Sequence, residues 1–270
     1  MLAALALGVL VPAAARAQTR LDAHYVVSLA GIPLGEGDWV IDVGEDRYSA
    51  TVRGETAGLL KTFASASGNG GAQGRIANGQ LVPATYSVAT TTKKKTETIR
   101  ISLAGGNVKD FSIVPEEPPN PERIPVSDAH KHGVLDPMTA SLVRLGGNGA
   151  SVGPDACRRA TSVFDGRMRY DLRLDYKRMD TVKGERGYQG PAVVCAIYFT
   201  PVSGYVPSRP AIKYLAAQRD MEVWLAPIGG TRILVPFRVK IPTPIGTGVL
   251  EATKFVVTSA ATPQTATKTQ

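Results

Sequence analysis

The chain has 270 residues, a formal charge of +8, 43% hydrophobic residues and 20% charged residues. That balance excludes an intrinsically disordered chain and leaves enough apolar material to bury a large core without a metal. Two cysteines exclude a disulfide-dense miniature scaffold and allow at most one internal bridge.

Residues 1–17 read as a signal peptide. Leu2–Val11 is an apolar run of h-region length, Pro12 ends it, and Ala15-Arg16-Ala17 is a small-x-small site that places cleavage before Gln18. The run is too short to span a bilayer, and no later segment is apolar for long enough, so no transmembrane segment is expected in the mature chain. The chain is therefore expected to be exported. Residues 18–257 are expected to form one β domain, and the polar stretch 258–270 a disordered tail.

In Arg20–Leu29, Leu21, Ala23, Tyr25, Val27 and Leu29 alternate with mostly polar residues, as on a strand with one buried face. Asp38–Val43 follows, with Trp39, Ile41 and Val43 on one face, and Tyr48, Ala50 and Val52 continue the meander. Gly58–Phe63 is a helical turn or a crossing loop. Ser65–Arg75 is glycine-rich but lacks the G-x-G-x-x-G spacing, which favours a thin strand, a bulge or a close backbone approach over a nucleotide loop. Leu81–Thr92, Thr96–Leu103 and Val108–Val114 form a second meander. Lys93-Lys94-Lys95 stands at a turn between two of its strands, either as an anion-binding tip or as a solvated hairpin end. No aromatic residues are interleaved with it, so nucleic acid is not an expected partner.

Pro115–Pro125 is the main break in composition and opens a proline-rich crossing loop, 115–131. A two-domain arrangement would divide here. Asp136 suits an N-cap and Pro137 the first helical position; with Met138, Leu142 and Leu145 as an apolar stripe, a helix is predicted over 136–145. VFDGRMRYDLRLDYK reads as a hairpin with Tyr170, Leu172, Leu174 and Tyr176 on one face. A short helix fits near Lys213–Gln218. Met221–Phe255 reads as three strands with one buried and one wet face: Ile233, Val235, Phe237, Val239 and Ile241 lie opposite Arg232, Leu234, Arg238 and Lys240. In an exported chain the pair Cys157 and Cys195 suggests a disulfide closing a loop of about 39 residues, worth roughly 4 kcal/mol.

Few residues offer chemistry. Gly149-Ala-Ser151-Val-Gly153 matches G-x-S-x-G by letters, but a helix is expected before the serine rather than after it, and all three histidines precede it. His130 and His132 lie near Asp128 and Asp136, yet two histidines in a loop fall short of the three ligands a catalytic zinc site uses. No catalytic residue, metal or cofactor is therefore expected, and the protein is not expected to be an enzyme.

The segments HYVVSLAGIPLGEGDW, YSATVRGETAGLLKTF, VLDPMTASL, CRRATSVFDGRMRYDLRL, CAIYFTPVSGY and VWLAPIGGTRILVPFRVKIPTPIGTGVLEATKF occur in this order. Together they resemble the exported bacterial family catalogued as domain of unknown function 3108, over about Leu21–Phe255. The resemblance implies a periplasmic or cell-surface, mostly antiparallel β protein with no established activity and no catalytic residues to carry over. A more distant similarity is to the half-barrel lipoprotein-carrier fold (LolA-like), in which a curved sheet closed by a helix holds acyl chains.

The expected fold is all-β: a strongly curved antiparallel sheet or open barrel of about ten to twelve strands, with one short helix packed on or capping its concave side. The function this suggests is a binding or carrier module for an amphipathic or lipidic envelope molecule. The alternative is a structural or assembly factor of the envelope acting through protein contacts. For the carrier, the apolar positions expected to face the ligand are Trp39, Ile41, Phe63, Leu142, Tyr170, Leu172, Trp224 and Phe237.

Overall fold

The computed structural model describes residues 18–58, 60–147, 149 and 151–259, with side chains except those of 62 and 63. The expected signal peptide and residues 260–270 of the expected tail lie outside the described residues. The first half is a meander of β1 (Thr19–Leu29), β2 (Ile32–Val43), β3 (Arg47–Thr56), β4 (Ala66–Ala77), β5 (Gln80–Thr92), β6 (Thr96–Ala104) and β7 (Asn107–Val114), with the single turn α1 (Leu60–Phe63) after β3. The second half contains α2 (Pro137–Ala140), β8 (Val143–Arg144), β9 (Arg159–Phe164), β10 (Arg169–Lys183), β11 (Arg186–Gly187) and β12 (Gln189–Ser203). It ends with α3 (Pro210–Ala217), β13 (Glu222–Pro227), β14 (Ile233–Thr243) and β15 (Gly246–Ser259).

The fifteen strands of the described residues belong to one sheet, whose main path is β7-β6-β5-β4-β3-β2-β1-β15-β14-β13-β12-β10-β9. The two halves of the chain join where β1 pairs antiparallel with β15, Thr19 opposite Ser259. The last strand thus takes up Thr258 and Ser259, which the sequence reading assigned to the tail. The count exceeds ten to twelve partly because β8 and β11 are two-residue strands pairing beside β14 and β15. The glycine-rich segment is β4. A Cβ at Gly74 would lie 2.7 Å from the Tyr48 hydroxyl, so the missing side chain lets that ring lie across the strand.

The sheet curls until its ends meet. Phe111 on β7 packs edge-on against Phe164 on β9, with centroids 5.3 Å apart. The gap between these end strands is bridged by one segment. Val134 N donates to Gly106 O at 2.8 Å, Leu135 N to Ser162 O at 2.9 Å, and Phe164 N to Leu135 O at 2.9 Å.

Side chains fill the concave face. Leu21, Ile41, Val235, Phe237 and Phe255 are fully buried in one cluster there, joined by Leu142 and partly by Met138. A second cluster at the end of the curl joins Ile99, Ile101 and Leu103 on β6 with Phe164.

The helix expected over 136–145 is cut to one turn. Asp136 caps it as expected, its Oδ1 accepting from Met138 N and Thr139 N at 3.0 and 2.9 Å. Burial of Asp136 raises its carboxyl above the usual range. The chain then leaves the helix because Val143 and Arg144 pair with Leu234 and Ile233, and Leu145 N donates to Arg232 O at 2.8 Å. The apolar stripe therefore divides: Met138 and Leu142 point into the concave core, while Leu145 packs on the opposite face. The longest helix among the described residues is α3, where a short helix was expected near Lys213–Gln218.

The reading of Met221–Phe255 as buried on one face and wet on the other fails on β13 and β14, as it does on the neighbouring β12. Val193 and Cys195, Val223 and Leu225, and Leu234 face away from the concave core yet are all buried. Val143, Leu145, Val152, Ala156 and Cys157 cover them, tethered by the Cys157–Cys195 disulfide, whose Cα atoms are 5.4 Å apart.

Candidate functional site

Beside this covered patch the same face stays open. Leu174 and Leu172 on β10 lie opposite Arg159 and Thr161 on β9, and Ile197 on β12 lies opposite Leu174. With Val223, Leu225, Pro236 and Val239 they form the floor and walls of a cavity of about 160 Å³. Ala140, Ser141 and Val143, at the end of α2, form its remaining edge. Apart from Arg159, Ser141 and Thr161, the residues lining it are apolar.

Arg159 and Thr161 also line a second space, a groove of about 630 Å³ running between the β4–β5 turn and the 142–147 segment. Arg144 lies in this groove and donates from Nε to Gly79 O at 3.0 Å, using one of its five N–H groups. Neither space has a carboxylate in its lining.

Arg159 is the group that stands out electrostatically. It is partly buried, and burial lowers its pKa with no acidic neighbour to offset the shift. A guanidinium stays protonated under any ordinary condition, so a charge is held here at a desolvation cost. No ion pair or hydrogen bond to another described residue balances it. The other partly buried arginines among the described residues have partners: Arg123, Arg167, Arg169 and Arg238 pair with carboxylates, and Arg144 and Arg232 donate to backbone carbonyls. A lone cation where an apolar cavity opens into a polar groove matches a ligand with an apolar end and an anionic end.

The eight positions expected to face a ligand scatter. Ile41, Trp224 and Phe237 belong to the filled concave core, and Trp39 packs against it, with its ring 6.2 Å from that of Tyr25. Tyr170 stacks near Phe199 at 5.4 Å. Leu142 lines the groove and Leu172 lines the cavity. The side chain of Phe63 lies outside the described residues. Sequence reasoning missed Arg159, Arg144 and Ile197. Leu174 was legible as the neighbour of Leu172 on one face, but nothing in CRRATSVF distinguishes the second arginine from the first.

The letters G-x-S-x-G do not build a hydrolase centre. Ser151 is exposed, and among the described residues it forms no hydrogen bond with a histidine. His130 Nδ1 accepts from Ser127 N at 3.1 Å, His132 Nδ1 lies 2.9 Å from Asn107 Oδ1, and His24 Nδ1 lies 2.8 Å from Asp38 Oδ1. Among the described residues no group of three His, Cys, Asp or Glu side chains could hold a metal. No helix of the described residues is long and apolar enough to cross a membrane.

No curated protein matches the chain. A β-barrel-like protein of the domain of unknown function DUF1849 from Brucella abortus is similar in structure, with a TM-score of 0.44 and 8% identity, covering 89% of this chain and 98% of that one. The family model described as "Protein of unknown function (DUF3108)" matches residues 24–253, most of the chain, and the chain belongs to that family.

Proposed function

We propose that this protein is a non-catalytic binding module of the cell envelope for an amphipathic anion. The single observation behind this reading is Arg159, a partly buried guanidinium with no acidic partner at the junction of the 160 Å³ apolar cavity and the 630 Å³ groove. The site lies between the end of α2 with Val143 of β8 and strands β9, β10, β12, β13 and β14. The disulfide supports an oxidising compartment, consistent with export.

Size limits the ligand. A volume of 160 Å³ equals about five liquid water volumes, so the cavity takes a short alkyl segment and not a whole acyl chain. The remainder of a longer tail would run along the groove. Calorimetric titration with octanoate, octanol and octylamine tests the reading, since the three share a tail and differ in the head. Octanoate should bind, and Arg159→Gln should weaken it about 10- to 100-fold, the range for a charge-assisted hydrogen bond. Equal binding of octanol and octanoate, or no binding of either, would move the reading to the envelope scaffold acting through protein contacts.

A further inference from the structure

One rim of the sheet carries features that the Arg159 site does not use. At this rim the β1–β2 and β14–β15 turns touch: Ala30 N donates to Thr247 O at 2.9 Å, and a Cβ on Gly246 would lie 2.6 Å from that of Ala30. The two turns expose Ile32 and Ile245 at 59% and 75%, the most exposed large apolar side chains among the described residues. No charged residue occurs in 25–35 or in 241–250, although one-fifth of the chain is charged.

The same rim carries the three lysines. Register steps lead from Gly35 to Thr56, from Glu55 to Ser67 and from Ala66 to Thr92, so the β5–β6 turn stands level with the start of β2. At the usual strand spacing it lies about 14 Å to one side. Lys93, Lys94 and Lys95 are all exposed there.

We infer that this rim docks onto an anionic phospholipid surface, with Ile32 and Ile245 entering the headgroup boundary and the lysine turn resting on the phosphates. Three observations favour a bilayer over a protein partner. First, the contact consists of two protruding tips, too little area for a stable protein interface, which buries about 800 Å² per partner. Second, the tips carry no Trp, Tyr or Arg, the residues that anchor protein interfaces. Third, several backbone polar groups in the tips are already satisfied or absent. Thr243 Oγ1 donates to Gly246 O at 2.6 Å and receives Ile245 N at 3.4 Å, while Pro33, Pro242 and Pro244 have no N–H to bury. Apolar insertion alone gives weak binding, and a basic patch supplies the second signal that makes it useful.

The test is co-flotation of the whole protein with vesicles of equimolar phosphatidylglycerol and phosphatidylcholine, beside vesicles of phosphatidylcholine alone, in low and high salt. The expected result is flotation with the anionic vesicles that weakens in high salt. Ile245→Asp should lower partitioning by about tenfold or more, and K93Q/K94Q by up to about 25-fold, each lysine contributing about fivefold; Lys95 is kept because its Nζ pairs with Glu97 at 2.9 Å. Ile245→Trp should shift its emission to the blue on anionic vesicles. Arg159→Gln should float like the wild type, which separates this inference from the binding reading above. Absence of flotation in low salt, flotation unchanged by both sets of substitutions, or Ile245-dependent self-association in solution would overturn it.

Discussion

Arg167 Nη2 lies 2.7 Å from Glu97 Oε2, and the two residues come from opposite ends of the strand order, Glu97 from β6 and Arg167 from the β9–β10 turn. Glu117, in the proline-rich crossing loop, reaches the same nitrogen at 3.0 Å. One guanidinium therefore helps to hold together the two ends of a sheet that no strand-to-strand hydrogen bond closes.

A pH dependence follows. The Arg167 guanidinium, with Lys95 second, lowers the Glu97 carboxyl to about 2, and Arg178 with Lys177 lowers Glu222 to about 2 as well. Both carboxylates titrate below their ordinary value, so their contribution is complete above that value and is lost as pH falls toward 2. Denaturant unfolding should show stability dropping between about pH 4.5 and 2. In Glu97→Gln that drop should shrink by about 1 kcal/mol after solvent screening, and the Glu222 part should remain. An unchanged acid limb in Glu97→Gln would remove Glu97 from this role.

Breaking the disulfide should cost more than either ion pair. Cys157 and Cys195 are 38 residues apart, so the cross-link restricts a long loop of the unfolded chain, worth roughly 4 kcal/mol in the chain-entropy model. Cys157→Ser with Cys195→Ser should lower stability by an amount of this order and expose the face beneath Val143, Leu145, Val152 and Ala156. Faster hydrogen exchange in β12 and β13 than in β1 would report that exposure.

Leu234 distinguishes a two-sided from a one-sided sheet. On a wet face, truncation would change stability by less than about 0.5 kcal/mol. Leu234 is instead fully buried and packed in the cluster under β8. Leu234→Ala should cost about 2–5 kcal/mol by urea unfolding, similar to a core leucine on the concave side such as Leu21.

Strand alternation made most of the sheet legible in the sequence. Leu21, Ile41 and Phe237 sit where a period of two places them, facing the concave core. Asp136 was also legible as a cap, because capping is local chemistry. The length of its helix was not, since Val143 and Arg144 leave the helix to pair with residues some 90 positions later in the chain. The covered outer face was hidden for the same reason: Leu234 alternates with arginines and reads as wet until Val143, Leu145 and Ala156 are laid over it. The candidate site was almost illegible. It depends on an arginine that lacks a partner, and a sequence does not display which charges go unpaired.

Thermal unfolding of the wild type and of Arg159→Leu, each with and without octanoate, tests the central claim most directly. Removing an unpaired, partly buried charge should raise the Tm of the ligand-free protein by about 2–4 °C, the equivalent of about 1 kcal/mol for a domain of this size. Octanoate should raise the Tm of the wild type and leave that of the variant unmoved. A ligand-free variant less stable than the wild type, or an equal octanoate shift in both proteins, would contradict the assignment of Arg159 as the anchor of an anionic ligand.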